Sequence, residues 1–198
     1  ANGKILKETP FKNIWVQPAS GDAGGSLGCA LDVYYEKLGN ERIISGGDFQ
    51  KGSLLGSEYK DEEILEYLSQ KNAKYHTYET SEEVEKLIAK YIFEGKIVGH
   101  FSGRMEFGPR ALGNRSILAD ARNIEMQKKL NLAIKKRESF RPFAPSCLDC
   151  DVDKIFDLNH SLKSPYMLLV ANINDEIKNK INDDKKYFGL DKLKINRD

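Results

Sequence analysis

The stretch from Phe101 to Pro145 limits what this chain can build more than any other. It carries ten basic side chains against four acidic ones, an excess of +6 inside a 198-residue chain whose net charge is only +1. Gly103, Gly108, Pro109, Gly113, Pro142 and Pro145 punctuate it. Glycine and proline interrupt helices and strands alike, so much of this charge must ride on turns between short elements. Two readings stay open from charge alone. Arginines held on rigid turns match phosphate and carboxylate oxygens, which would make an anion pocket. The same residues would also serve as a solvated basic face laced with salt bridges.

The rest of the composition excludes several classes. At 198 residues the chain is one large domain or two small ones, with 40% hydrophobic and 10% aromatic residues, a folded composition. With Lys plus Arg at 31 and Asp plus Glu at 30, there is no polybasic tail, so no nucleic-acid partner is expected. No stretch approaches the length of a membrane span, no apolar signal segment follows Ala1, and no membrane partner is expected. Cys29, Cys147 and Cys150 cannot form a fully paired disulfide framework, which suits a reducing, cytoplasmic setting.

Hydrophobic periodicity predicts a mixed α/β (α+β) fold. Short strands are expected at Ile14–Val16, Ile97–Phe101, Ser116–Ala119 and Tyr166–Val170. Helices are expected over residues 26–38, 62–70 capped by Asp61, 81–94 capped by Ser81, and 123–137 with Met126, Leu130, Ala133 and Ile134 as the apolar stripe. The glycines between residues 45 and 60 read as a linker, and the lysine- and asparagine-rich last 25 residues carry little pattern.

Within the basic stretch, Arg104 and Arg110 flank a tight turn, and Asn114-Arg115-Ser116 adds an amide, another fork and a hydroxyl, the donor types that grip polyphosphate. Glu106 would hold an arginine in place or bind magnesium. Lys135, Arg137 and Arg141 straddle a helix end, where cations are favourable in any case, and Pro142 and Pro145 would stiffen the approach to Arg141. Gly21 to Gly28 is either a phosphate cradle, with Gly24 and Gly25 supplying N–H groups, or a plain turn into a helix. Asp22 within it is a candidate metal ligand or base. Cys147 and Cys150 have metal-like spacing but no second pair, and read as two free thiols. His76, His100 and His160 are scattered and read as ordinary residues.

Three blocks also resemble the NodU/CmcH-type O-carbamoyltransferases of nodulation-factor and antibiotic biosynthesis: Trp15 to Gly28, Gly103 to Asp120, and Lys135 to Ser146. The resemblance implies that residues 1–45 are the C-terminal remnant of an actin/sugar-kinase-like (Kae1-like) domain. A linker at 46–52 and a YrdC-like mixed twisted sheet with helices from 53 to 198, incomplete at its C-terminal end, would follow. It further implies that the YrdC-like part converts carbamoyl phosphate and ATP to carbamoyl adenylate and pyrophosphate, and that the Kae1-like part passes the carbamoyl group to an acceptor hydroxyl. Arg104, Arg110, Asn114, Arg115, Ser116, Lys135, Arg137 and Arg141 would then surround phosphates, with Mg2+ accompanying ATP. Asp22 would be one ligand of an iron (Fe2+) whose histidine ligands lie upstream. The implied partners are small molecules and a second copy of the chain as a homodimer. The 198-residue piece alone is not expected to complete carbamoyl transfer. A carbamoyl- or threonylcarbamoyl-adenylate synthase of tRNA modification and a non-catalytic anion-binding module are the alternatives.

Overall fold

The computed structural model describes residues 2–44, 46–157 and 164–178. His160 and most of the lysine-rich tail lie outside them. The fold is mixed α/β, with helices α1 (Asn2–Glu8), α2 (Asp22–Asp32), α3 (Asp61–Gln70), α4 (Ser81–Phe93), α5 (Met126–Lys129) and α6 (Val152–Ile155). Strands β1 (Val98–Phe101) and β2 (Arg115–Leu118) pair in one two-stranded sheet, and β3 (Phe156–Asp157) pairs antiparallel with β4 (Asn172–Ile173) in another.

The helices form where the sequence periodicity puts them, with their starts displaced. At α3 the Glu63 carboxylate reaches back to the Lys60 N–H at 2.8 Å, so Lys60 rather than Asp61 is the boundary residue. At α4 the cap is Thr80, whose hydroxyl accepts from the Glu83 N–H at 3.3 Å. Val84, Leu87, Ile88 and Tyr91 form the half-buried stripe of α4. The expected helix over 123–137 is shorter: α5 runs into a π-helical turn, Leu130–Lys135, and Lys136 closes it in the left-handed conformation (φ 50°). The wider turn changes which side chains face inward. Met126, Leu130 and Asn131 are buried, whereas Ala133 and Ile134 are exposed.

The largest displacement is at α2, which begins at Asp22 instead of Ser26. Ala19 adopts a left-handed φ of 54°, and its carbonyl accepts from the Gly21 and Gly24 N–H groups at 2.7 and 2.8 Å. The glycine block is thus the helix start itself. Gly24 is its one buried residue, and a Cβ there would lie 2.6 Å from the Ala19 carbonyl oxygen.

Two of the expected strands are replaced by other structure. Ile14–Val16 has no ladder partner among the described residues. Around Tyr166–Val170 the Ser164 hydroxyl accepts from the Leu168 and Leu169 N–H groups at 3.1 Å each, and Met167 is left-handed (φ 54°). Side-chain acceptors have taken the hydrogen bonds a ladder would need. In place of the implied broad twisted sheet, the described residues hold only the two small ones.

The chain divides into two compact units, each assembled from three segments. The first comprises Ala1–Glu79, Gly99–Ile117 and Lys163–Val170; the second comprises Thr80–Val98, Leu118–Leu162 and Ala171–Asp198. In the first unit the glycine-punctuated stretch expected to be a linker is laid along the basic loop. The Gly56 N–H donates to Met105 O (2.9 Å), Met105 N–H to Ser57 O (2.9 Å) and Phe107 N–H to Ser53 O (2.6 Å). In the second unit Met126 and Leu130 are the buried apolar side chains among the described residues, and Lys129 donates to the Gly95 carbonyl just past α4 (3.0 Å).

Candidate functional site

The loop between β1 and β2 is organised from within by Glu106, whose side chain is 0% exposed. One carboxylate oxygen, Oε1, accepts from the backbone N–H groups of Leu112 (2.7 Å), Asn114 (2.8 Å) and Arg115 (3.4 Å). The other, Oε2, lies 3.3 Å from Arg115 Nε, close enough for an ion pair but without hydrogen-bond geometry. Burial opposes the charge on Glu106, and the amides of Leu112, Glu106 itself, Asn114 and Arg115 outweigh it, so its pKa falls below the ordinary 4.5. Of the two roles open to Glu106 in the sequence, holding an arginine and binding magnesium, its contacts fit the first.

Arg115 is equally committed. Its Nη2 donates to the carbonyls of Gly108 and Arg110, so the guanidinium closes the loop it belongs to. Asn114 Nδ2 donates to Arg104 O at 2.8 Å, and Ser116 stands half-buried on β2. Arg104 is exposed, donating to Gly56 O (2.9 Å) and pairing with Glu58 (3.2 Å). Arg110 differs from these: among the described residues nothing pairs with its guanidinium. It lines an open cleft of about 230 Å³, mouth included, together with Ala19, Ser53, Phe107, Pro109, Leu112 and Tyr166.

Backbone conformation brings the loop against Ala19, one of the residues lining this cleft. Gly108 has φ 104°, and a Cβ on it would sit 2.6 Å from the Ala19 Cβ, so glycine alone lets the loop meet the turn before α2. Tyr166, which also lines the cleft, donates its hydroxyl hydrogen to Asp48, which also accepts from the Gln50 (3.0 Å) and Gly52 (2.8 Å) N–H groups. Burial, then the bond to Asp48, pushes Tyr166 up to about 12, and the Tyr166 hydroxyl is the main reason Asp48 falls below its ordinary 3.8. Those contacts brace Lys51, Gly52 and Ser53, three successive left-handed residues.

In the second unit Arg137 and Arg141 belong to a turn tied to Asn131. Asn131 is 0% exposed; its Nδ2 donates to the carbonyls of Ser139 (3.1 Å) and Arg141 (2.8 Å). Its Oδ1 accepts from Arg137 Nε at 2.6 Å, and the Arg137 guanidinium lies 5.0 Å from the Phe143 ring centroid. Arg141 pairs with Glu138 at 2.8 Å, and Lys135 is exposed at the end of the π-helical turn.

The glycine block does not present the N–H groups expected of a cradle. The Gly24 N–H bonds to Ala19 O, and that of Gly25 to Gly21 O at 2.9 Å. Asp22 is exposed in the first turn of α2, and among the described residues no group of three or more His, Cys, Asp or Glu side chains converges to hold a metal ion. Of the iron site implied by the resemblance, the described residues offer Asp22 alone. Cys29, Cys147 and Cys150 are free and exposed.

Sequence reasoning passed over Asn131, Tyr166, Asp48 and Phe143. Asn131 had a signal, a polar residue inside an apolar stripe one turn before a cluster of cations. Tyr166 and Asp48 had none, because their contact joins residues 118 positions apart.

Comparison with known proteins places these two groups of residues in context. The family description "Carbamoyltransferase C-terminus" matches residues 89–185, and "Carbamoyltransferase N-terminus" matches residues 1–31. An uncharacterised protein of Synechocystis, sll1178, is 47% identical over 199 residues, covering 100% of this chain and 32% of the relative. Nodulation protein NolO of Bradyrhizobium diazoefficiens is 41% identical over 179 residues, covering 88% of this chain and 31% of the relative. The 3'-hydroxymethylcephem-O-carbamoyltransferase of Streptomyces clavuligerus is 29% identical over 166 residues, covering 84% of this chain and 29% of the relative. The chain thus spans about a third of the length of the curated relatives it matches.

Proposed function

Because the chain belongs to the O-carbamoyltransferase family, we propose that it carries the anion-binding part of an ATP-dependent O-carbamoyltransferase. The observation that carries this reading is Arg110, an unpaired guanidinium on an open cleft, held by a loop that Glu106 and Arg115 lock from inside. An unpaired guanidinium lining a partly apolar cleft, on a loop whose backbone is fixed, offers the donors that recognition of a phosphoryl group uses.

On this reading the Arg110 cleft takes the phosphate of carbamoyl phosphate. Arg137 and Arg141 of the second unit, with Lys135, are assigned to the phosphates of ATP, where Mg2+ would neutralise the remaining charge. Carbamoyl phosphate, ATP and water would give carbamoyl adenylate, pyrophosphate and inorganic phosphate, and the carbamoyl group would then pass to an acceptor hydroxyl. Residues 1–45 would close a Kae1-like domain, and residues from 53 onward would belong to a YrdC-like one.

Calorimetric titration of the chain with carbamoyl phosphate and with ATP tests this. Arg110→Ala should weaken carbamoyl phosphate binding by roughly 30- to 150-fold, the equivalent of about 2–3 kcal/mol for a charge-assisted contact. Lys128→Ala, on an exposed side chain paired loosely with Glu125 at 3.9 Å, should change it less than about threefold. No binding of either ligand at millimolar concentration, or equal small effects of both substitutions, would overturn the reading.

A further inference from the structure

We propose that Asn131 is a positioning residue that fixes the Arg137 fork for an anion. The inference rests on the assignment of Arg137 to phosphate binding made above and supplies the part that orients it.

Asn131 is a fully buried polar side chain beside the two buried apolar residues of the second unit, Met126 and Leu130. A buried amide must have its hydrogen bonds met, and every partner of this one is in the turn that follows the helix. Nδ2 uses both hydrogens, one on Ser139 O and one on Arg141 O. Oδ1 accepts from Arg137 Nε at 2.6 Å, and the Asn131 carbonyl accepts from the Arg137 N–H at 3.1 Å. The amide therefore sets both the path of the turn and the direction of one guanidinium. Gln127 adds a second tie, donating to the carbonyls of Phe140 and Arg141 at 3.1 Å each.

Arg137 is constrained on two sides. Its Nε edge faces Asn131, and its Cζ lies over the Phe143 ring, 5.0 Å from the centroid. Among the described residues nothing takes its terminal nitrogens. The edge left open is Nη1–Nη2, which has the spacing to hold two oxygens of one phosphate or carboxylate. A guanidinium held in this way loses little freedom when an anion arrives, which is how a supporting shell raises affinity. Arg141 supplies its backbone carbonyl to the clamp, and its side chain pairs instead with Glu138. The two arginines thus have different standing, Arg137 as the fixed fork and Arg141 as a movable cation.

The test has one arm that needs no ligand. The Arg137 Nε–H signal in a ¹⁵N spectrum of the chain, assigned by its loss in Arg137→Lys, should exchange with water at least about tenfold more slowly than that of Arg110. Equal exchange in the unsubstituted protein would overturn the clamp, whatever the chain binds. The second arm titrates ATP and carbamoyl phosphate into Asn131→Ala, Arg137→Ala and the double variant. Asn131→Ala should weaken the ligand that Arg137 grips by about tenfold or more, and the double variant should be no weaker than Arg137→Ala alone. Additive losses would make Asn131 structural only and overturn the proposal. Unchanged affinity in Asn131→Ala alongside a loss in Arg137→Ala would do the same. Slow Nε–H exchange in a chain that binds neither ligand would support the clamp while removing the function assigned to it. Should Asn131→Ala not fold, the exchange measurement on the unsubstituted chain still decides.

Discussion

Glu106 illustrates how one carboxylate can replace a secondary-structure ladder. Its Oε1 collects three amides that would otherwise be unpaired in a loop, and its charge stands beside Arg115. Removing it should leave both the amides and the guanidinium uncompensated. Glu106→Ala is expected to lower stability by about 3 kcal/mol, read as a shift in the urea midpoint at neutral pH. The acid limb has a defined sign. Because the native pKa lies below the ordinary 4.5, the contribution of Glu106 is complete above that value and is lost as pH falls through the native one. The unfolding midpoint of the parent chain should therefore fall more steeply below pH 4.5 than that of Glu106→Ala. Tyr166 gives the opposite limb. Its pKa is raised from 10.0 to about 12, so its contribution is complete below 10 and is lost as pH rises towards 12. Ultraviolet titration of the nine tyrosines should show a late step near pH 12 that disappears in Tyr166→Phe.

Two adjacent glycines at the start of α2 should respond in opposite ways to the same substitution. Gly24→Ala forces a methyl group to within 2.6 Å of the Ala19 carbonyl, and overpacking against backbone costs about 1–3 kcal/mol or more. Gly25→Ala meets nothing within 4 Å in a helical position, where alanine is favoured by about 0.5–1 kcal/mol. Thermal melts of the two variants should move in opposite directions. This pair also marks the boundary of what local pattern conveys. The α3 and α4 helices were legible because periodicity and caps are local properties, and β1 and β2 because β-branched and apolar runs flank the turn. The glycine block was read as a loop because the signal that makes it a helix, the left-handed Ala19, is a backbone conformation that no residue type announces. The Tyr166–Val170 strand failed because Ser164 competes for its N–H groups. At the candidate site the cations were legible from charge, but not their division into free (Arg110), internal (Arg115) and clamped (Arg137). That division depends on Glu106 and Asn131, whose partners lie on the turns between elements.

At the scale of the molecule, exposed apolar surface outweighs the core among the described residues. Only Met126 and Leu130 are buried apolar side chains among the described residues, whereas Trp15, Ile43, Ile44 and Val170 are 76–88% exposed. Surface of that kind binds partners or dyes. The purified 198-residue chain should therefore bind a hydrophobic-surface dye without denaturant and sediment faster as its concentration rises; a dye-negative, concentration-independent monomer would contradict this. The described helices contain none long and apolar enough to cross a membrane. The interleaving of the two units bears on when either can form. In the first unit Asn2 donates to Leu168 O and Tyr166 to Asp48, contacts spanning 166 and 118 residues. A chain growing from the ribosome at about 5–20 residues per second would thus hold the arginine loop for several seconds with one wall of its cleft not yet synthesised.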